Sequence, residues 1–206
     1  MMKNIKLLLH SNIAFMRGKK RRMQKSRFVS LVIITAVVVF VFTVFVFQMA
    51  AVITGIQGTN FIFTFGMATF ISLTFLLFEG NRLGFFFHNT LAMLLTLPTS
   101  FGGTPYDILP RLVIILAGFP ADLILNSLYK VFKKNDRLVW WSILTTIFFI
   151  PLVNIFQVSL FPLYFPSEFV TTYTNILIIM SPWIIGGSIV GGVLGYKLYR
   201  RVEHIR

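Results

Sequence analysis

Hydrophobic positions along this chain run in long unbroken blocks separated by short polar joints, with neither the two-residue alternation of a strand nor the narrow stripe of a soluble helix. Residues from Phe28 to Phe78 include no Asp, Glu, Lys or Arg, and neither do those from Leu138 to Ser167 or from Phe169 to Tyr196. Blocks of that length satisfy the requirement of about 20 apolar residues per bilayer crossing, and only a helix meets every backbone hydrogen bond within one segment. The pattern predicts spans over residues 28–53, 61–78, 83–98, 108–129, 138–162 and 174–196. The expected fold is all-α: a polytopic bundle of six transmembrane helices.

Charge then orients the bundle. With a cytoplasmic N-terminus, eighteen of the 19 basic residues fall inside, and Arg111 alone lies outside. The inside set comprises nine before the first span, Arg82, a cluster from Lys130 to Arg137, and Lys197, Arg200, Arg201 and Arg206. The positive-inside rule therefore predicts both termini in the cytoplasm of a multi-pass cell-membrane protein. Three parts follow: a basic N-terminal segment 1–27, a transmembrane domain 28–199 and a basic tail 200–206. In this frame the net charge of +13 points to anionic lipid headgroups rather than to nucleic acid. Ile5, Leu8, Leu9, Ile13 and Met16 ahead of the basic cluster fit either a short interfacial helix or an unstructured tail. The first apolar block, about 26 residues, exceeds a signal-peptide core and is expected to stay as a span.

The absence of cysteine removes disulfides, thiolate metal sites and thiol nucleophiles. Three scattered histidines without H-x-x-x-H or E-x-x-H spacing give only a weak case for a protein-bound metal site, and no cofactor is expected. No nucleophile, acid and base gather in one layer, so catalysis by this chain is not expected either.

Polar side chains at membrane depth are costly and mark cavities or partners. They gather toward the outer side: Gln48, Gln57 and Asn60, Tyr106 with Asp107 and Arg111, Asn154 with Gln157, then Glu168, Tyr173 and Asn175. Asn154 and Gln157 share one helical face after Pro151. Two readings stand for this set: an outward pocket for a small polar ligand, or amides and tyrosines tolerated near headgroups. Asp107 and Arg111 also have the spacing of a structural i,i+4 pair. Asp122, deep in the fourth span with Asn126 one turn later, is either a functional intramembrane acid or a hydrogen-bonded lock between helices. His88 with Asn89, near the inner end of the third span, is either a partner for it or a pair lying at the interface. Gly187, Gly191 and Gly195 form a small-residue stripe for close helix packing, against a helix of this chain or of a partner.

Leu109-Pro110-Arg111 with Gly118, Leu152-Val153-Asn154, and the ending Gly191-Gly192-Val193-Leu194-Gly195-Tyr196 resemble the S component of energy-coupling factor (ECF) transporters over roughly the second half of the chain. The resemblance implies a subunit that captures a vitamin or micronutrient outside and reorients in the bilayer when membrane and ATPase partner subunits act. It places specificity in Gln48, Arg111, Asn154, Gln157 and Asn175. The chain has no P-loop of its own, and the family's AxxxA contact for the membrane partner is missing between Phe28 and Ile53. In a second set of motifs, Pro105-Tyr106-Asp107, Asp122-Leu123, Lys133-Lys134-Asn135, Pro151 to Asn154 and Ser181-Pro182, the chain resembles the A subunit of archaeal ammonia and methane monooxygenases. That resemblance implies a non-catalytic scaffold in a copper enzyme whose metal ligands lie mostly on partner subunits.

Overall fold

A computed structural model describes residues 25–49, 53, 59–101 and 105–205 of the chain. Segment 1–24, which includes the expected interfacial helix, lies outside the described residues, as does Gln57. Two compact units are present, Met1–Leu31 and Val32–Arg206. Of the first, the description covers the opening of one helix.

Among the described residues helices joined by short turns make up the structure, and no strand occurs. Helix α1 spans Lys25–Phe42 and ends in a wider π turn, Thr43–Phe47. A short 3-10 turn, Thr59–Phe63, leads into α2, Thr64–Phe78. Then follow α3, Gly84–Leu95, α4, Leu109–Lys134, and α5, Leu138–Leu160. After a turn at Phe161–Leu163 comes the long α6, Ser167–Ile205.

Five of these segments are long and apolar enough to cross a bilayer: Lys25–Phe47, Phe61–Phe78, Leu109–Lys134, Leu138–Leu163 and Ser167–Glu203. Helix α3 is shorter. Its 12 residues make a rod of about 18 Å, well below the ~30 Å of hydrocarbon. Helix α6 begins at Ser167 rather than at 174, right after Pro166, and its 39 residues carry it far past the predicted end at 196.

The surface explains the solvent. Ile34, Phe45, Ile178, Ile179 and Leu163 are exposed, and such side chains cover helix faces that no other described element meets. Polar residues occupy the interior instead: Ser72, Ser142, Thr145, Thr146 and Ser188 are all buried. In a hydrocarbon medium apolar burial gives little drive, so close packing and hydrogen bonds between helices hold the bundle.

Helices α2 and α6 form the most extensive contact in the bundle. The glycine stripe makes it possible. A Cβ on Gly191 would lie 2.8 Å from the backbone nitrogen of Thr69, and one on Gly195 would lie 2.8 Å from the Thr69 carbonyl oxygen. Gly187 meets Thr64 and Phe65 in the same way. On the neighbouring face Gly192 lies against the backbone of Ile143, so α5 also approaches closely. There the Ser142 hydroxyl donates to the Gly192 carbonyl at 2.7 Å, and Thr146 donates to the Ser188 carbonyl at 2.8 Å. Helix α4 joins α5 through Trp141, whose indole N–H donates to the Leu125 carbonyl at 3.0 Å.

Candidate functional site

Helix α3 owes its position to two buried charged residues of α4. Arg111 and Asp122 stand eleven residues apart, three helical turns, and so project from one face. At the start of α3 the Asp122 carboxylate accepts from the Leu83 N–H at 2.9 Å and the Phe86 N–H at 2.6 Å. Asn126, one turn below, donates to the same carboxylate at 2.6 Å and to the Asn81 carbonyl at 3.3 Å. At the far end, the Arg111 guanidinium donates to the carbonyls of Thr96 at 3.1 Å and Thr99 at 2.7 Å, and to the Asp107 carbonyl. A carboxylate at the N-terminus and a cation at the C-terminus both complement the dipole of the helix they hold.

Between these clamps α3 lies against α4 at Gly118, where a Cβ would come 2.6 Å from the Asn89 amide nitrogen. That amide donates to the Ile114 carbonyl at 2.9 Å. His88, considered above beside Asp122, instead meets the Thr35 hydroxyl through Nδ1 at 3.0 Å. The turn before α3 is tight. Leu83 has φ 66, a left-handed conformation that a non-glycine residue adopts at a cost of ~1 kcal/mol or more. Asp122 offsets this by accepting its N–H. Gly80, at φ 74, also faces the Tyr129 ring, which a Cβ would meet at 2.6 Å.

Beside α3 opens a cavity of about 620 Å³, within the range of small-molecule sites. The π turn of α1 contributes Thr43, Phe47 and Gln48 to its wall. Its wider winding is closed by the Gln48 N–H to the Thr43 carbonyl at 3.0 Å, and such turns recur at functional positions. Helix α2 contributes Thr64, Met67 and Phe70, α3 contributes Phe85, His88 and Asn89, and α5 contributes Asn154 and Gln157. The stretch entering α6 supplies rings at every fourth position: Phe161, Phe165, Phe169 and Tyr173. These rings touch in sequence, with centroids 5.0 Å apart for Phe161 and Phe165 and 4.5 Å for Phe165 and Phe169.

Gln48, Asn154 and Gln157 thus meet around one cavity. Gln48 donates to the Ser100 hydroxyl at 2.8 Å, and Gln157 Oε1 accepts from the Tyr173 hydroxyl at 2.6 Å. Arg111 and Asp122 do not line the cavity; they hold α3, which forms one of its walls. Asn175 is exposed and also lies off the cavity, and Gly187, Gly191 and Gly195 lie at the α2 contact. Reading by depth alone found Tyr173 and missed Phe161, Phe165, Phe169 and Thr43. The spacing was only a partial signal, because Phe169 and Tyr173 stand one turn apart on α6 while Phe161 and Phe165 lie in the turn before it. Among the described residues no group of three His, Cys, Asp or Glu side chains is placed to hold a metal.

No protein-family model, curated protein or solved structure matches this chain.

Proposed function

We propose that this chain is the substrate-capture subunit of a small-molecule uptake transporter of the ECF type, acting with membrane and ATPase partner subunits and catalysing no chemistry itself. In this arrangement six helices cross the membrane, α3 and its flanking turns making the third crossing, and both termini are cytoplasmic.

The observation that carries this reading is the cavity and the end of the bundle at which it lies. In an up-and-down bundle the ends of α1, α3 and α5 share a side with the starts of α2, α4 and α6. Gln48, Phe61, Ser100, Gln157 and Tyr173 all belong to that side and all line the cavity. The basic residues Lys130, Lys133, Lys134 and Lys197 belong to the opposite side. By the positive-inside rule the basic side is cytoplasmic, so the cavity faces outward. A scaffold subunit of a copper oxygenase has no comparable need for a cavity of its own.

The test is a thermal-shift screen of the full chain purified alone, against vitamins, their precursors and metal ions. A ligand at about 100 times its Kd stabilises the fold by about 2.7 kcal/mol, a clear rise in melting temperature. The expected result is stabilisation by one ligand class, abolished by Asn154→Ala. A chain that is stabilised by nothing, and is sound only when co-expressed with other subunits, is a scaffold instead.

A further inference from the structure

We infer that the cavity takes an uncharged, flat heteroaromatic molecule that presents a lactam-type N–H and C=O edge to Asn154; this rests on the capture reading above.

Charge is the first discriminator. Among the described residues lining the cavity there is no Asp, Glu, Lys or Arg. The buried charges of α4 do not serve the ligand either: Arg111 is engaged with carbonyls at one end of α3, and Asp122 with backbone N–H groups at the other. A charged ligand entering this space would shed its water and find no counter-charge, the most expensive form of burial. A neutral one loses far less.

The walls select shape. Rings make much of the wall: Phe47 and Phe70 from α1 and α2, and Phe161, Phe165, Phe169 and Tyr173 from the entry to α6. A wall so rich in rings offers a flat π system stacking and edge contacts that a saturated ligand of the same size does not make.

The hydrogen-bonding edge comes from α5. Asn154 lines the cavity, and among the described residues its side chain has no hydrogen-bond partner. Its carboxamide offers an acceptor oxygen beside a donor NH₂, the complement of a group carrying N–H and C=O side by side. One turn further, Gln157 has its oxygen committed to Tyr173 at 2.6 Å, which points its NH₂ to the role of a second donor. A donor and acceptor at Asn154 with a further donor at Gln157 is the pairing that a lactam or cyclic imide completes.

Titration of the full-length detergent-solubilised protein with four matched probes tests this: phenanthridin-6(5H)-one, its 5-methyl derivative, phenanthridine-6-carboxylate and 5-methylphenanthridinium. The neutral lactam is expected to bind at least tenfold more tightly than each of the other three, because the methyl group removes the donor and the two ions import charge. Asn154→Leu should erase the difference between the lactam and its methyl derivative. Asn154→Asp should shift preference toward the phenanthridinium, which guards against a folding defect in the leucine variant. If an ion binds as tightly as the lactam, or the methyl derivative binds equally, the inference on charge or edge falls while capture stands. If no probe binds and nothing in the vitamin screen stabilises the protein, the capture reading itself falls.

Discussion

Asp122 and Arg111 project from one face of α4, three turns apart, and hold opposite ends of the same short helix. The carboxylate takes two backbone N–H groups at the start of α3, and the guanidinium takes two carbonyls just past its end. A helix of 12 residues is marginal alone, and its unsatisfied end groups are costly in a medium without water. The two α4 side chains supply those partners. They also fix the wall that carries Phe85, His88 and Asn89 into the cavity.

Removing the carboxylate should therefore cost more than altering its charge. Asp122→Ala leaves the Leu83 and Phe86 N–H groups and the Asn126 amide without their acceptor, and a loss of about 3–5 kcal/mol is expected. Asp122→Asn keeps one acceptor oxygen and should cost about half as much. Melting temperatures of the two variants in the same detergent decide it. Equal losses would mean that the hydrogen bonds to α3 are not what matters.

At the other end the geometry of the cation matters more than its sign. The Arg111 guanidinium reaches the Thr96 and Thr99 carbonyls through one nitrogen and the Thr96 hydroxyl through Nε at 3.3 Å. Lysine preserves the charge but not the planar fork. Arg111→Lys is thus expected to destabilise by roughly 2 kcal/mol, visible as a lower melting temperature, and a wild-type melt would show that charge alone suffices.

Two glycines of α6 separate packing from helix propensity. Around Gly186 nothing lies within 4 Å of an added Cβ, whereas Gly191 already abuts the backbone of α2 at Phe65 and Thr69. Gly186→Ala should stabilise by up to about 1 kcal/mol, the ordinary advantage of alanine in a helix. Gly191→Ala should cost about 1–3 kcal/mol, because α2 must move away. Opposite signs in a paired melting experiment are the expected outcome, and the same sign for both would contradict the close α2–α6 contact.

The long helices were legible because long apolar blocks mark them: the spans predicted to begin at 28, 108 and 138 correspond to helices that begin at Lys25, Leu109 and Leu138. The span predicted at 83–98 also falls close to α3, Gly84–Leu95, but what fixes its ends was not legible, since Leu83 and Thr99 meet side chains from α4, a relation of tertiary structure. Gly187, Gly191 and Gly195 announced close packing by their spacing, and only the fold shows that α2 is what packs there. Arg111 illustrates the same gap. A lone cation at the predicted outer side suits a ligand as well as a helix end, and nothing in the local sequence says that the Thr96 and Thr99 carbonyls turn toward it. Asn154 and Gln157 share one helical face by their spacing, which fits a pocket or headgroups equally well, and only the fold shows that this face lines the cavity.

The proposed six-span arrangement makes a prediction that a cysteine-free chain is well suited to test. Single variants Asn135→Cys, between α4 and α5, and Ser167→Cys, at the start of α6, place thiols at exposed positions on opposite sides of the bundle. Arg82→Cys, exposed in the turn between α2 and α3, reports on the third crossing. With intact cells and a membrane-impermeant maleimide, Ser167→Cys should label at once. Asn135→Cys and Arg82→Cys should label only after the membrane is opened. In the proposed arrangement Lys130, Lys133 and Lys134 put the Asn135 side inside by the positive-inside rule, so labelling of that thiol from outside would invert the whole assignment. Labelling of Arg82→Cys alone from outside would mean that α2 or α3 does not cross, and that the cavity is reached from a different face.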